Sequence, residues 1–207
     1  MIDEIVVGDP PDAWERLGFD VSDGVCRVGT VALRLAGPDA GRGLVGWSLR
    51  GLASRDLDGL PTALSASAER PAAGIHPNGV VSLDHVVAFT PDLDRTVAAL
   101  QRAGLDLRRV REEPTPAGAP RQAFFRLGAE ILEVIQVPDD SPMMSNPDGP
   151  ARLWGLAFIA EDLDGLASKL GDDVSPPRDA VQEGRRIATL KRSAGLSVPL
   201  AFMTPVP

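Results

Sequence analysis

The chain of 207 residues has no tyrosine, a single cysteine and only two histidines, and it has no surplus of positive charge. Its 21 lysines and arginines face 29 acidic residues, so the net charge is −8. This charge argues against nucleic acid and anionic membranes as partners. The six phenylalanines and three tryptophans also offer few platforms on which bases could stack. We therefore expect no polynucleotide substrate.

The remaining absences bear on the cellular compartment of the protein. Cys26 is the only cysteine, so no intrachain disulfide can form, which favours a reducing environment. Asp3 and Glu4 lie where a signal peptide would carry positive charge. No apolar run approaches the roughly 20 residues of a membrane span. The sequence therefore predicts a cytoplasmic protein with no membrane partner, of a length that suits one domain or two small ones.

The clearest succession of elements lies between Leu83 and Val137. A strand opens at Leu83, and a helix follows with Thr90 as the predicted N-cap, Pro91 in its first turn and Gly104 at its end. Three further strands are predicted over 107–112, 122–127 and 131–137 from their extended apolar patterns. The unit is therefore β-α-β-β-β.

Parts of this unit recur along the chain. Residues 1–36 predict the same order with one strand missing, and the pentapeptide Asp-Leu-Asp-Gly-Leu occurs at both 56–60 and 162–166. An exact repeat of this kind argues for duplication of a module.

The repeats divide the chain into two predicted units. An abbreviated half, made of βαββ and a βα unit, occupies 1–64, and a linker rich in Ala, Ser, Pro and Gly follows over 65–80. A paired domain spans 81–207, with modules at 81–138 and 151–207.

Three short motifs resemble the glyoxalase-like modules of the vicinal oxygen chelate superfamily. They are Leu83-Asp84-His85 at the first strand, the Pro-Asp-Leu-Asp helix start, and Leu132-Glu133 in the last strand. The resemblance implies an α+β fold in which repeated βαβββ modules form cup-shaped mixed sheets with helices on the convex face. It also implies that the first and last strands of each module hold a divalent metal ion, which places His85 and Glu133 at ligand positions.

The matching positions of the last module are predicted to be Gly155 and Leu200, neither of which can coordinate a metal. A catalytic divalent ion needs about three protein ligands and an open position. Glu4, His76 or a second chain would have to complete the set. The cofactor is thus open between one divalent ion and none.

Strand alternation is expected to turn His85 and Glu133 into one concavity, where the carboxylate needs a partner such as a metal, His85 or Arg126. Trp154 is predicted to lie in the core, and His76 in an exposed loop. The predicted pocket comprises His85, Val87, Phe89, Arg126, Ile135, Ala157, Ile159 and Leu200.

Three functions fit these features. The first is metal-free binding of a small, largely apolar molecule, as in superfamily members that confer antibiotic resistance. The second is a metal-dependent lyase, isomerase or dioxygenase acting on vicinal oxygens, in which Glu133 or Glu4 exchanges a proton. The third is an assembly protein, because the abbreviated half would leave a sheet edge open. A homodimer is expected under all three.

Overall fold

The computed structural model describes residues 1–114, 118–141 and 146–206, which form two mixed sheets. The first sheet and its helix comprise β1 (Ile2–Val7), α1 (Pro11–Arg16), β2 (Val21–Ser22), β3 (Val25–Val28), β4 (Val31–Leu35), β5 (Leu44–Arg50) and β6 (Thr62–Ser65). The strand order is β2-β3-β4-β1-β5-β6. β1 pairs in parallel with β4 and antiparallel with β5.

The N-terminal module contains the strand that the sequence analysis found missing. This strand, β2, has only two residues, Val21 and Ser22, so it is too short to show alternation. Conversely, the helix predicted after β5 does not form. The pentapeptide 56–60 makes a turn instead, with Asp58 at φ 55°, a left-handed conformation that cannot continue a right-handed helix. The second module is therefore reduced to β5 and β6.

The second sheet follows a segment, 66–79, that contains no helix or strand. Its elements are β7 (Val80–Thr90), α2 (Leu93–Arg102), β8 (Asp106–Arg111), β9 (Gln122–Arg126), β10 (Ile131–Gln136), β11 (Arg152–Ala160), α3 (Leu163–Leu170), β12 (Arg178–Asp179), β13 (Arg186–Thr189) and β14 (Leu200–Met203). The order is β12-β13-β14-β11-β7-β10-β9-β8. Single turns of 3₁₀ helix occur at Pro38–Ala40, Gly171–Asp173 and Arg192–Ala194.

Each of the three complete modules repeats one topology. Its first strand pairs in parallel with its fourth, and the third and second strands follow antiparallel toward the sheet edge. In the second sheet the first strands of two modules, β7 and β11, pair antiparallel at the centre. The fold is thus α+β, built from repeated glyoxalase-like modules, as the resemblance implied.

Helix α2 begins later than predicted. Its N-cap is Asp92, whose Oδ1 accepts a hydrogen bond from the amide of Arg95 at 2.9 Å, whereas Thr90 bonds to the hydroxyl of Thr96 at 2.6 Å. The helix buries Leu93, Thr96, Ala99 and Leu100. These residues recur every three or four positions, so one face packs against the sheet.

Alternation separates the two faces of the second sheet. Val86, Ala88, Leu132 and Val134 are fully buried on the face that α2 covers. Their neighbours are half-buried on the other, concave face, which we call the cup.

The N-terminal unit packs on the helix side of the second sheet. Phe158 of β11, fully buried, contacts the rings of Trp14 and Phe19 at centroid distances of 6.2 and 5.6 Å. Asp58 accepts a hydrogen bond from Arg95 of α2 at 2.8 Å. The first sheet therefore does not cover the cup. In the described ranges, no helix has the length and apolarity to cross a membrane.

Candidate functional site

The centre of the cup is organised by a β-bulge in β7. Opposite β11, Leu83 pairs with Phe158 and His85 with Ala157, so Asp84 has no partner in the ladder. A bulge of this kind allows two consecutive side chains to lie on the same side of a strand. Asp84 accordingly reaches its neighbour, with its Oδ2 2.6 Å from Nδ1 of His85.

Arg185 holds the other oxygen of Asp84. Its Nη2 donates to Oδ1 of Asp84 at 2.8 Å, its Nε donates to the carbonyl oxygen of Thr204 at 2.9 Å, and its Nη1 donates to Oε1 of Gln182 at 2.6 Å. The side chain of Arg185 is only 3% exposed. Among the described residues, Asp84 is the carboxylate that compensates this positive charge, so the loop before β13 is tied to β7.

His85 and Glu133 face each other across neighbouring strands, as the alternation predicts. Nε2 of His85 lies 3.5 Å from Oε2 of Glu133, and the side chains are 18% and 16% exposed. The second oxygen of Glu133 accepts a short hydrogen bond from Nε2 of Gln122 on β9. The cup therefore contains a continuous polar row, in the order Gln122, Glu133, His85, Asp84 and Arg185.

The two carboxyl groups of this row differ in proton affinity. Burial raises the pKa of Glu133, with His85 opposing the shift and Asp84 adding to it. Burial alone would also raise the pKa of Asp84, but hydrogen bonds from His85 and Arg185 outweigh it, so that pKa is lowered. Of the two carboxyl groups, Glu133 therefore holds a proton more readily than Asp84.

Small and aromatic residues form the rest of the cup. Ala157 lies beside His85 in the ladder, and Ala201 lies beside Ala157. At Gly155 a Cβ would come within 2.8 Å of the carbonyl oxygen of Pro199, so no side chain fits there. The rings of Phe89 and Trp154 pack at a centroid distance of 4.7 Å.

The ring contact shows that the core position predicted for Trp154 is wrong. The ladder between β7 and β11 shifts register between Leu153 and Gly155. Trp154 is therefore turned toward Phe89 and the cup, half-buried rather than in the core.

Several other predicted positions need correction. Leu200 pairs with Leu156 on the helix side of the sheet and is 2% exposed, so Ala201 faces the cup in its place. Arg126 faces the cup, but it lies one ladder position away from Glu133 and donates to the carbonyl oxygen of Gly128 at 3.2 Å. The partner of Glu133 is therefore Gln122 and not Arg126. Val87, Ile135 and Ile159 are half-buried at the expected alternating positions.

Glu4 and His76 do not join the site. Glu4 accepts a hydrogen bond from Nε of Arg34 at 2.9 Å within the first sheet. His76 is 4% exposed, contrary to the exposed loop predicted for it. Its Nδ1 accepts from the amide of Asp20 at 3.0 Å, and its ring packs on Phe19.

The donor set does not fit a divalent ion held by three side chains of one chain. Within the part of the chain that the structure describes, no three His, Cys, Asp or Glu side chains are grouped so that they could hold a metal. His85 and Glu133 supply two donors, while Gly155 and Ala201 lie at the opposite positions. A third donor would have to come from outside the described residues.

Sequence reasoning missed Asp84, Gln122 and the placement of Trp154. A signal for Asp84 was present in the repeat, because Asp3 precedes Glu4 as Asp84 precedes His85. Asp3 also lies at a register shift and is paired with arginines, Arg50 at 2.6 Å and Arg70. An aspartate at a register shift of the first strand, neutralised by arginine, thus occurs in both of these modules.

Solved structures share this fold. Methylmalonyl-CoA epimerase from Mycobacterium tuberculosis is 20% identical and has a TM-score of 0.51, covering 62% of this chain and 91% of its own. A Streptomyces coelicolor methylmalonyl-CoA epimerase variant in complex with 2-nitronate-propionyl-CoA is 23% identical, with a TM-score of 0.50 and coverage of 62% and 99%. These epimerases belong to the vicinal oxygen chelate superfamily. No protein-family model and no curated protein matches the sequence. At such identities the likeness shows the fold alone.

Proposed function

We propose that this protein binds a small, largely apolar molecule in the cup of the second sheet. The observation that carries the proposal is the Phe89–Trp154 ring pair beside the small residues Gly155, Ala157 and Ala201. Together they supply an apolar surface with few bulky side chains, next to a polar row that can orient one hydrogen-bonding group of the ligand. This combination is typical of small-molecule sites.

A blocking substitution tests the cup directly. Val87 lies half-buried at its centre, so Val87→Trp is expected to weaken binding of the neutral fluorescent probe N-phenylnaphthylamine by at least about tenfold. The repeat offers a matched control, Val6→Trp, because Val6 follows Glu4 as Val87 follows His85. Equal binding by the wild type and Val87→Trp would reject the proposal.

A second candidate function is proton transfer at a carbon next to a carbonyl group. It is favoured by the row Asp84, His85 and Glu133, in which burial raises the pKa of Glu133. Glu133 would remove the proton, and Asp84 would keep His85 oriented to return one or to donate to the carbonyl oxygen. A metal-dependent version of this chemistry requires a third donor, which the described residues do not supply.

Hydrogen exchange distinguishes this reaction from simple binding. The probe is methylmalonyl-CoA, the compound in the names of the structural neighbours. The protein and the probe are mixed in heavy water, and deuterium incorporation is followed by mass spectrometry. We expect exchange by the wild type, a loss of roughly 100-fold or more in Glu133→Gln, and no loss in Glu112→Gln, whose carboxylate lies outside the cup and pairs with Arg121. If the wild type exchanges no faster than Glu133→Gln, proton transfer is rejected and binding remains as the function. Repeating the assay with a chelator tests the metal-dependent version.

We further propose that the chain forms a homodimer through β6. In the described part of the chain β6 pairs only with β5, and the exposed Leu64 lies on it. An open strand edge is a template for pairing with a second copy. Light scattering on Leu64→Arg should show monomers, whereas Ile75→Arg, equally exposed but outside the strand, should stay dimeric. A monomeric wild type would refute this.

A further inference from the structure

We propose that the rim of the cup on β8 and β9 binds an anionic group of the ligand, a carboxylate or a phosphate. The inference deepens the proposed binding function and rests on it. Three arginines carry it: Arg109, Arg111 and Arg126.

Strand register places the three arginines on the cup face. Arg109 pairs with Phe124 and Arg111 with Gln122, while Arg126 pairs with Ile131 on β10. Residues that pair directly across a ladder share a face. Since the amide of Gln122 reaches Glu133 inside the cup, that face is the concave one.

Among the described residues, these arginines lack the close carboxylate partners that neighbouring arginines have. Arg109 makes no hydrogen bond or ion pair within residues 1–114, 118–141 and 146–206. The Nε of Arg111 is buried without a hydrogen-bond partner, and the nearest carboxylate, that of Glu113, is 4.0 Å away and 82% exposed. Arg126 donates to the backbone carbonyl oxygen of Gly128 and forms no ion pair with a carboxylate of the described residues.

The contrast with two arginines nearby is informative. Arg121 is held by both Asp94 and Glu112, and Arg108 donates to Asp106 at 3.1 Å. The acidic side chains near the cup face are therefore already engaged, Asp106 by Arg108 and Glu133 by Gln122. In a chain with a net charge of −8, these three arginines lie on one concave surface, and among the described residues no carboxylate is closer to any of them than the 4.0 Å of Glu113. They form a local site for an anion.

The distance between the rim and Phe89 sets the separation between the acidic group and the apolar body of the ligand. β8 lies three strand spacings from β7, which carries Phe89, a distance of about 14 Å at roughly 4.8 Å per spacing. Arginine side chains bind carboxylates and phosphates through paired hydrogen bonds. The ligand we infer is an amphiphile, with an apolar body near Phe89 and Trp154 and an acidic group at the rim.

Three fluorescent probes with the same body and chain test the rim. They are dansylaminoundecanoic acid, the corresponding undecyl phosphate and the uncharged primary amide of the acid. We expect the wild type to prefer at least one anionic probe over the amide by about tenfold or more, with the better one identifying the natural group. Arg109→Gln and Arg111→Gln should each reduce anionic affinity about tenfold, the effect of losing one charged hydrogen bond. Neither variant should change amide binding.

The control variant is Arg102→Gln, since Arg102 lies exposed at the end of α2, on the other side of the sheet. It should bind all probes as the wild type does. Added salt should weaken the anionic probes and leave the amide unaffected. Equal affinity of the wild type for the three probes would overturn the rim site, and so would equal losses of anionic affinity in Arg102→Gln and Arg111→Gln. Neither result would reject binding in the cup. Failure of every probe to bind would instead reject the cup.

Discussion

The carboxyl group of Glu133 lies in the cup with His85 and Gln122 as its neighbours and little access to water. Burial raises its pKa above the ordinary value of 4.5. A raised pKa in the folded state means that the protonated form is favoured by folding, so its stabilising contribution is present below about pH 4.5 and is lost as the pH rises through the folded value. At neutral pH this carboxylate therefore destabilises the fold.

The isosteric substitution Glu133→Gln should consequently stabilise the protein at pH 8. We expect a gain on the order of 1 kcal/mol, or a rise of about 2 to 4 °C in Tm, because the amide oxygen can still accept from Gln122 and no charge is desolvated. The gain should vanish below about pH 4.5, where Glu133 is itself protonated. Urea unfolding at several pH values measures it; a variant that is less stable than the wild type at pH 8 would contradict the assignment.

Asp84 is expected to respond in the opposite direction. Its pKa is lowered by His85 and Arg185, so it contributes stability at neutral pH that is lost as the pH falls below the ordinary value of 3.8. Asp84→Asn leaves the buried guanidinium of Arg185 without a counter-charge, at a cost of about 3 to 5 kcal/mol. Urea unfolding at pH 7 gives this cost.

The exposed pair of Asp164 and Arg186, at 66% and 41% exposure, supplies the comparison for Asp84. Asp164→Asn should change the urea midpoint little, because an ion pair in water contributes little to stability. If the two asparagine variants lose similar stability, the row from Arg185 to His85 is not a buried ion pair in solution.

At the scale of elements, the sequence predicts the modules well and the registers poorly. The period of the apolar residues and the helix-end signals at Thr90, Pro91 and Gly104 locate strands and helices to within a few residues, because these are local properties. Alternation also places Glu133 in the cup correctly relative to His85. Both strands involved are regular over that stretch.

The errors at Leu200, Trp154 and Asp84 come from single-residue shifts. A shift of one residue exchanges the two faces of a strand, which moved Leu200 out of the cup and turned Trp154 into it. The same kind of shift turned Asp84 toward the cup, where only its neighbour His85 was expected. Bulges arise from packing between strands distant in sequence, so the local pattern carries little information about them.

The pentapeptide Asp-Leu-Asp-Gly-Leu shows how context decides an element. At 162–166 its first aspartate caps α3, accepting from the amide of Gly165 at 2.8 Å. At 56–60 the third residue, Asp58, instead accepts from the side chains of Arg95 and Thr96. The same five residues thus begin a helix in one module and anchor a turn on α2 in the other.

Alanine substitutions at the two copies should therefore show opposite patterns. Asp162→Ala should cost about 1 kcal/mol through loss of the cap, and Asp56→Ala should cost almost nothing. Asp58→Ala should cost about 2 to 3 kcal/mol, because Arg95 loses its carboxylate partner, whereas the equivalent Asp164→Ala removes only an exposed pair. Chemical denaturation of the four variants tests this; equal costs at equivalent positions would mean that both copies adopt one conformation.

At the scale of the whole molecule, the two sheets share one hydrophobic core. The buried cluster runs continuously from Ile5 and Trp14 of the first unit to Phe158 and Phe202 of the second. Cys26, fully buried in the first sheet, is the only thiol and so reports on the opening of that sheet. A core shared in this way predicts that the two units unfold together.

Phe158→Ala tests this coupling, since the change lies in the second sheet and the reporter in the first. Losing the ring should cost about 3 to 5 kcal/mol and should bring forward, to the same urea concentration, both the loss of helix and sheet signal and the labelling of Cys26. Phe89→Ala, which removes a ring from the open cup, should shift both transitions by less, because its half-buried side chain leaves a smaller cavity. If Phe158→Ala left the labelling of Cys26 unchanged, the two sheets would unfold independently. The N-terminal unit could then not stabilise the register of β7 and β11, on which the cup depends.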